Sequence, residues 1–132
     1  MPGGTIRRSR IVVVGSHPQL VDALVDLIGE EPKLELVGVA HNEAEAVALA
    51  QSTRPNIVLF DVEAVTADAS LVSVIHGLQT AGSGARLIAL TNYDDDATVQ
   101  RILTWGFHRH VSKVMNGKDL VTIVLEEHVQ LA

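Results

Sequence analysis

The chain has 132 residues, a formal net charge of −6 and no cysteine. A chain of this length forms one domain, since domains run to roughly 100–200 residues. The acidic balance argues against a domain held on nucleic acid or on anionic lipid by phosphate contacts. The absence of cysteine excludes disulfides, thiolate-ligated metal centres and thiol catalysis, and it fits a cytoplasmic protein. The longest apolar runs are four or five residues, which is too short to span a membrane.

The N-terminal segment differs in composition from the rest of the chain. Residues 1–9 hold two glycines, a proline and two arginines, so we predict a flexible basic tail there and a single domain over residues 10–132. No apolar segment follows the arginines, so this end of the chain does not match a signal peptide. We interpret the tail as a solvated end, with contact to an acidic partner as the alternative.

The first predicted strand lies over residues 11–14, where a β-branched run is typical of a strand buried on both faces. Apolar residues at helical spacing follow it. Pro18 suits the first turn of that helix, and Gly29 ends it. The second strand is predicted over residues 34–40.

An alanine-rich helix is predicted next, over residues 43–53, with Asn42 as its N-cap. A second buried apolar run over residues 57–60 predicts the third strand, which ends at Asp61. The third helix is predicted over residues 70–79, where apolar residues recur on one face.

The last part of the chain repeats the same alternation. The remaining predicted elements are a strand over 87–90 ending at Thr91, a helix over 94–105, a strand over 109–112 and a helix over 119–131. Gly106 stops the first of these helices, and the acidic residues in its first turn complement the helix dipole.

Strand and helix patterns thus alternate five times with short links. Such alternation, with strands that are apolar throughout, predicts a parallel sheet covered by helices on both faces. The predicted fold class is α/β, a doubly wound architecture of five parallel strands flanked by five helices with right-handed crossovers. No change of composition marks a second domain.

Ligands in an open sheet of this kind bind beyond the carboxyl ends of the strands, where the strand order reverses. The residues that follow four of the five strands are Gly15, Ser16 and His17; Asp61 and Glu63; Thr91 and Asn92; and Ser112 and Lys113. A carboxylate, a hydroxyl and an ammonium group therefore meet at one edge, which suits a phosphoaspartate site. From position alone, turn or cap roles for Asp61 and Thr91 are an equally good interpretation.

Four stretches, IVVVGSHPQLVDAL, RPNIVLFD, ARLIALTNYDDD and HVSK, resemble in their order and intervals the receiver domain of bacterial response regulators. The resemblance covers about residues 9–131 and is to the kind of receiver found ahead of helix-turn-helix output domains. It implies a flavodoxin-like fold and a cytoplasmic role in two-component signal transduction or a phosphorelay.

The resemblance also implies roles for single residues. Asp61 matches the phosphoacceptor, Thr91 the switch hydroxyl that turns toward the phosphoryl group, and Lys113 the lysine that pairs with acceptor and phosphoryl oxygens. Glu63 occupies the position whose backbone carbonyl ligates Mg²⁺. His110 occupies the position of the aromatic residue that swings during activation.

The main departure from the family pattern concerns the metal site. The family has two acidic residues after the first strand, of which the second holds Mg²⁺, whereas this chain has Gly15 and Ser16. Mg²⁺ is usually held by one or two carboxylates plus phosphate oxygens, and phosphoryl transfer depends on such a cation. We therefore expect weak or absent Mg²⁺ binding, with Asp61 and Glu63 as the remaining metal ligands, and weakened phosphorylation of Asp61. A Glu63 side chain that turns in to supply the missing oxygen is the alternative.

The sequence thus predicts an atypical receiver, either a single-domain regulator or one separated from its output domain, that acts by protein contact and is not an enzyme. The resemblance implies a partner face on the fourth helix, fifth strand and fifth helix, and Trp105, His108 and His110 lie there. The expected partners are proteins, among them a histidine kinase and a second copy in a homodimer. No binding to nucleic acid or membrane is expected.

Two alternative functions stay open. The first is a functional phosphoacceptor that takes a phosphoryl group from a histidine kinase on Asp61. The second is a small α/β enzyme, which no acid/base constellation in the sequence supports. As metal ligands, His108 and His110 lack a third ligand at convincing spacing, so we interpret them as surface or half-buried imidazoles.

Overall fold

The computed structural model describes residues 8–15, 17–61, 75–77, 85–91, 96–104, 106–112 and 117–130. The elements, in chain order, are β1 (Ser9–Val14), α1 (Pro18–Gly29), β2 (Leu34–Ala40), α2 (Glu43–Thr53), β3 (Ile57–Asp61), β4 (Arg86–Thr91), α4 (Asp96–Thr104), β5 (Arg109–Ser112) and α5 (Gly117–Gln130). Residues 75–77, between β3 and β4, are helical and are labelled α3.

The five strands form one parallel sheet in the order β2-β1-β3-β4-β5. The chain passes from β1 outward to β2 and then crosses back to β3 on the other side of β1. The strand order therefore reverses between β1 and β3, and this switch point is where the fold opens a crevice at the carboxyl ends of the strands. Val14 pairs with Phe60 there, which brings the residues that follow each strand side by side.

Alternate strand residues form two cores, one on each face of the sheet. One core holds Val12, Val14, Val58, Phe60, Leu87 and Ala89, together with Ala46 and Ala50 of α2 and Ile75 of α3. The other holds Ile11, Val13, Ile57, Leu59, Ile88 and Leu90, together with Leu24 and Ile28 of α1 and Val124 of α5. Helices thus cover both faces, and the doubly wound prediction is confirmed.

Local sequence signals account for the helix ends. Pro18 occupies the first turn of α1, which ends at Gly29. The side chain of Asn42 accepts a hydrogen bond from Glu45 N at 2.9 Å and so caps α2, as predicted. After α4, Gly106 has φ 118°, a left-handed conformation that glycine adopts without steric cost.

Some element boundaries differ from the prediction. The tail was expected to reach residue 9, but β1 begins at Ser9, whose N–H donates to Lys33 O at 2.9 Å. Arg8 is also tied to the fold, since its Nε donates to Pro32 O at 3.0 Å. The hydrogen bond to Lys33, the residue before β2, therefore extends β1 beyond its apolar run. The rest of the predicted tail, residues 1–7, lies outside the described residues.

The predicted helices occur in the structure, but their first or last residues differ from the prediction. The helix expected over 94–105 is described over Asp96–Thr104, and the one expected over 119–131 begins earlier, at Gly117. Of the helix expected over 70–79, the structure describes three helical residues, 75–77. None of the helices in the described part of the chain is long and apolar enough to cross a membrane.

Candidate functional site

The carboxyl ends of the central strands bring the predicted site residues to one edge. Asp61 ends β3, Thr91 ends β4 and Ser112 ends β5. Asp61 pairs with Leu90, one residue before Thr91, and Thr91 pairs with Ser112. Asp61 and Thr91 are both buried, each with 1% exposure. The sheet therefore presents a carboxylate and a hydroxyl on adjacent strands, beneath the surface of the crevice.

Asp61 lies at the switch point next to the segment that follows β1. Its Oδ2 is buried and is 3.5 Å from Nδ1 of His17, whose side chain is exposed. Asp61 makes further interactions within the fold. The sequence prediction included His17 among the residues after β1.

Gly15 lies against Asp61 at the end of β1. Its N–H donates to Ala40 O at 2.9 Å, which fixes the backbone at this edge. A Cβ on Gly15 would lie 3.6 Å from the Asp61 Cβ and 3.8 Å from Oδ2, with Val21 Cγ2 at 3.2 Å. A side chain here would therefore adjoin the Asp61 carboxylate, and this chain has none.

The described residues of this edge do not fit a Mg²⁺ ion. Among these residues, Asp61 is the carboxylate at the crevice. The imidazole of His17, rather than a second carboxylate, lies beside it. Within the described ranges, no group of three or more His, Asp or Glu side chains could hold a metal ion. Mg²⁺ prefers an octahedral set of oxygen ligands. Ser16, Glu63 and Lys113 lie outside the described residues, so their predicted roles stay predictions.

The remaining predicted site residues lie on or near β5. His110 is half-buried on β5 and pairs with Ala89 of β4, two residues before Thr91. His108 lies one residue before β5. Its Nδ1 accepts a hydrogen bond from Leu87 N at 2.9 Å, which commits the imidazole to the sheet backbone. Trp105 lies outside the described residues.

A second cluster of charges lies at the opposite, amino-terminal end of the strands. Glu127 of α5 is buried, and its Oε2 is 2.7 Å from Arg86 Nε while its Oε1 is 3.5 Å from Arg109 Nη1. Burial lowers the pKa of nearby His108, and the positive charge of Arg86 lowers this pKa further. Sequence reasoning missed this cluster because Arg86 and Glu127 lie 41 positions apart.

Two curated proteins are similar to this chain in sequence. A curated relative, the DNA-binding transcriptional activator DevR/DosR of Mycobacterium tuberculosis, is 29% identical over 115 residues, which cover 87% of this chain and 52% of that protein. A protein-glutamate methylesterase/protein-glutamine glutaminase of Pyrococcus abyssi is 37% identical over 59 residues, which cover 45% of this chain and 16% of that protein. The chain thus spans about half the length of the first relative and much less of the second.

Solved structures show the same fold. The signal receiver domain of the putative response regulator NarL from Mycobacterium tuberculosis aligns with a TM-score of 0.80 at 22% identity, covering 91% of this chain and 95% of that chain. The response regulator domain of Thermotoga maritima CheB aligns with a TM-score of 0.76 at 21% identity, covering 94% and 96%. The family model of the response regulator receiver domain matches residues 11–125. The chain therefore belongs to the response regulator receiver domain family, whose place is in two-component signalling.

Proposed function

We propose that this chain is an atypical receiver that signals by protein contact, with Mg²⁺-dependent phosphorylation of Asp61 strongly weakened. One observation carries the proposal: Gly15, at the first position of the family's acidic pair, adjoins the Asp61 carboxylate and adds no charge there. The proposal includes a cytoplasmic location and no catalytic activity of the chain's own.

The absence of a charged side chain at Gly15 is large enough in electrostatic terms to affect the affinity for Mg²⁺. At an effective dielectric constant of about 20, two unit charges about 4 Å apart interact by about 4 kcal/mol, and a unit charge with a divalent cation by about twice that. The Cβ position on Gly15 is 3.8 Å from Asp61 Oδ2, so a carboxylate at this position would add a negative charge close to that of Asp61. Without it, a divalent ion at this edge lacks the charge that offsets the cost of removing its water ligands.

The retained residues support a receiver that has kept its framework. Asp61 and Thr91 lie at the carboxyl ends of β3 and β4, where the resemblance implies the phosphoacceptor and the switch hydroxyl, and both are buried. We propose that signalling depends on this packed state and on what binds it, rather than on transfer of a phosphoryl group.

The proposed partner surface consists of α4, β5 and α5. Among the described residues, Leu103 of α4 is the large apolar side chain that is exposed to solvent, at 38%. Arg109 and Glu126 lie on the same surface at 3.8 Å from each other. A protein is the proposed partner, either a histidine kinase or a second copy of this chain. Leu103→Ser should weaken the binding of this chain to the partner without changing the melting temperature of the chain.

An intact-mass assay tests the phosphorylation part of the proposal. The protein is incubated with Mg²⁺ and a small-molecule phosphodonor beside an Asp61→Asn control, and we expect no phosphoryl mass gain in either sample. A gain in the unmodified protein alone would overturn the proposal. It would favour the functional phosphoacceptor, with an oxygen ligand supplied from outside the described residues.

Restoring the acidic pair tests the physical cause. The Gly15→Asp/Ser16→Asp double variant should bind Mg²⁺ at least about tenfold more tightly than the unmodified chain by calorimetric titration. Gly15→Ala is the matched control, because its Cβ meets Val21 Cγ2 at the same 3.2 Å without adding charge. Equal Mg²⁺ affinity in the double variant and in the alanine control would show that the missing carboxylates are not the cause.

A further inference from the structure

The imidazole of His17 lies against the buried carboxylate of Asp61. Its Nδ1 is 3.5 Å from Oδ2, and its side chain is 63% exposed where that of Asp61 is 1% exposed. An exposed ring in contact with a buried oxygen lies between that oxygen and water on the side of the contact. A reagent that approaches Oδ2 from this side therefore meets the imidazole first.

The backbone explains why the ring lies there. His17 is the N-cap of α1 with φ −94° and ψ 111°, and its carbonyl accepts the Val21 N–H at 3.0 Å. Pro18, at the next position, excludes the helical conformation for His17 by steric clash and so favours this extended one. The His17 side chain makes no capping hydrogen bond. Its imidazole is thus not engaged in capping the helix, and it lies instead beside Asp61 Oδ2.

Gly15 leaves room for this arrangement. A Cβ on Gly15 would approach Oδ2 to 3.8 Å, so any longer side chain would compete with the imidazole for the space beside this oxygen. The contact does not depend on charge, since a neutral ring occupies the same space as a protonated one.

We propose that His17 is a cap that restricts access to the Asp61 carboxylate, so that the acceptor-type residue is held unreactive by a neighbouring side chain as well as by the missing acidic pair. This inference rests on the proposed role of Asp61 and adds a regulatory element to that site. A partner that draws His17 away from the end of β1 uncovers the carboxylate.

The chain contains a matched control for the proposed cap. His41 Nδ1 lies 3.2 Å from Glu45 Oε1, but here the imidazole and the carboxylate are both exposed, at 64% and 49%. An imidazole beside a carboxylate that already faces water shields it little. His41→Ala therefore removes a comparable contact without uncovering a buried group.

Chemical labelling of carboxylates tests the cap without metal or phosphodonor. The intact protein is treated with a water-soluble carbodiimide and glycinamide, and the amide formed at each carboxylate is followed by peptide mass spectrometry. We expect His17→Ala to raise the labelling rate of Asp61 several-fold over the unmodified chain, and His41→Ala to leave it unchanged. Buried Glu127 is the internal standard, because its labelling rises only if the fold itself opens.

The outcomes separate this inference from the proposed function. An unchanged Asp61 rate in His17→Ala, with Glu127 still protected, would overturn the cap and leave the Mg²⁺ proposal untouched. If Glu127 also reacts faster, His17→Asn replaces the alanine variant, since asparagine is a good N-cap with a shorter side chain. Faster labelling of Asp61 than in the unmodified chain then supports the cap, and an equal rate overturns it.

Discussion

Arg86, the first residue of β4, donates from Nε to Oε2 of Glu127 on α5 at 2.7 Å. Glu127 is 2% exposed, and Arg109, the first residue of β5, approaches its other oxygen to 3.5 Å. One buried carboxylate is thus shared by the guanidinium groups of two neighbouring strands. It fastens the C-terminal half of α5 to the end of the sheet that lies opposite Asp61.

We expect Glu127→Gln to lower the free energy of unfolding by about 1–3 kcal/mol. Removing one partner of a fully buried ion pair costs about 3–5 kcal/mol. The smaller figure applies because both arginines are about one-third exposed and water replaces part of the lost interaction. Urea unfolding measures the change. Glu126→Gln is the control, since Glu126 is 52% exposed and 3.8 Å from Arg109, and it should change stability by less than about 0.5 kcal/mol.

The lowered pKa of His108 predicts a dependence of stability on pH. Burial disfavours the charged imidazole in the folded chain, and Arg86 adds to this, while Glu127 acts in the opposite direction. The unfolded chain therefore binds this proton more readily than the folded chain. The stability contributed by neutral His108 is fully present above its usual pKa of 6.5 and is lost as the pH falls below it.

His108→Asn isolates this effect. The asparagine Oδ1 can accept the Leu87 N–H in place of Nδ1, but the side chain does not titrate. Urea unfolding between pH of about 7.5 and about 5 should show a smaller loss of stability in the variant than in the unmodified chain. The same loss in both proteins would mean that other groups cause it.

The cap of α2 gives a prediction that is independent of the site. Asn42 accepts the Glu45 N–H, and the Glu45 carboxylate accepts the His41 N–H at 3.0 Å. This bond from the His41 backbone is the main cause that lowers the pKa of Glu45. Asn42→Ala should therefore cost about 1 kcal/mol of stability in urea unfolding. Asn42→Ser keeps an accepting oxygen and should stay within a few tenths of a kcal/mol.

Arg54 offers a stabilising substitution. It follows α2 with φ 48°, a left-handed conformation that strains a residue with a Cβ. Arg54→Gly should raise the free energy of unfolding by about 0.5–1 kcal/mol, since glycine adopts this conformation without strain. Arg54→Ala keeps the Cβ and should give no gain. A similar gain in both variants would assign the effect to the lost side chain instead.

The sheet and its two cores could be predicted from the sequence because the signals are local. The β-branched run of β1, the Asn42 cap and the stop at Gly29 each depend on residues within a few positions of one another. The meeting of Asp61 and Thr91 at one edge was also predictable, because parallel strands place their carboxyl ends together.

Contacts between distant residues could not be predicted. No spacing indicates that Glu127, in an apolar-patterned helix, is buried against Arg86. The contact of His17 with Asp61 is of the same kind, because it depends on the strand order, which places β1 next to β3. Pro18 was the available local signal, since it restricts the backbone of His17. Sequence reasoning used it only as a helix start.

The absence of a carboxylate at Gly15 also affects how the melting temperature responds to divalent cations. A cluster of like charges destabilises a fold by mutual repulsion, and a bound cation that relieves it stabilises the native state by mass action. Among the described residues, this crevice presents a single carboxylate, and an imidazole already lies beside it. We therefore expect little repulsion at this edge for a cation to relieve. Its melting temperature should be the same in Mg²⁺ and in chelator, which makes the fold indifferent to the divalent ion content of its surroundings.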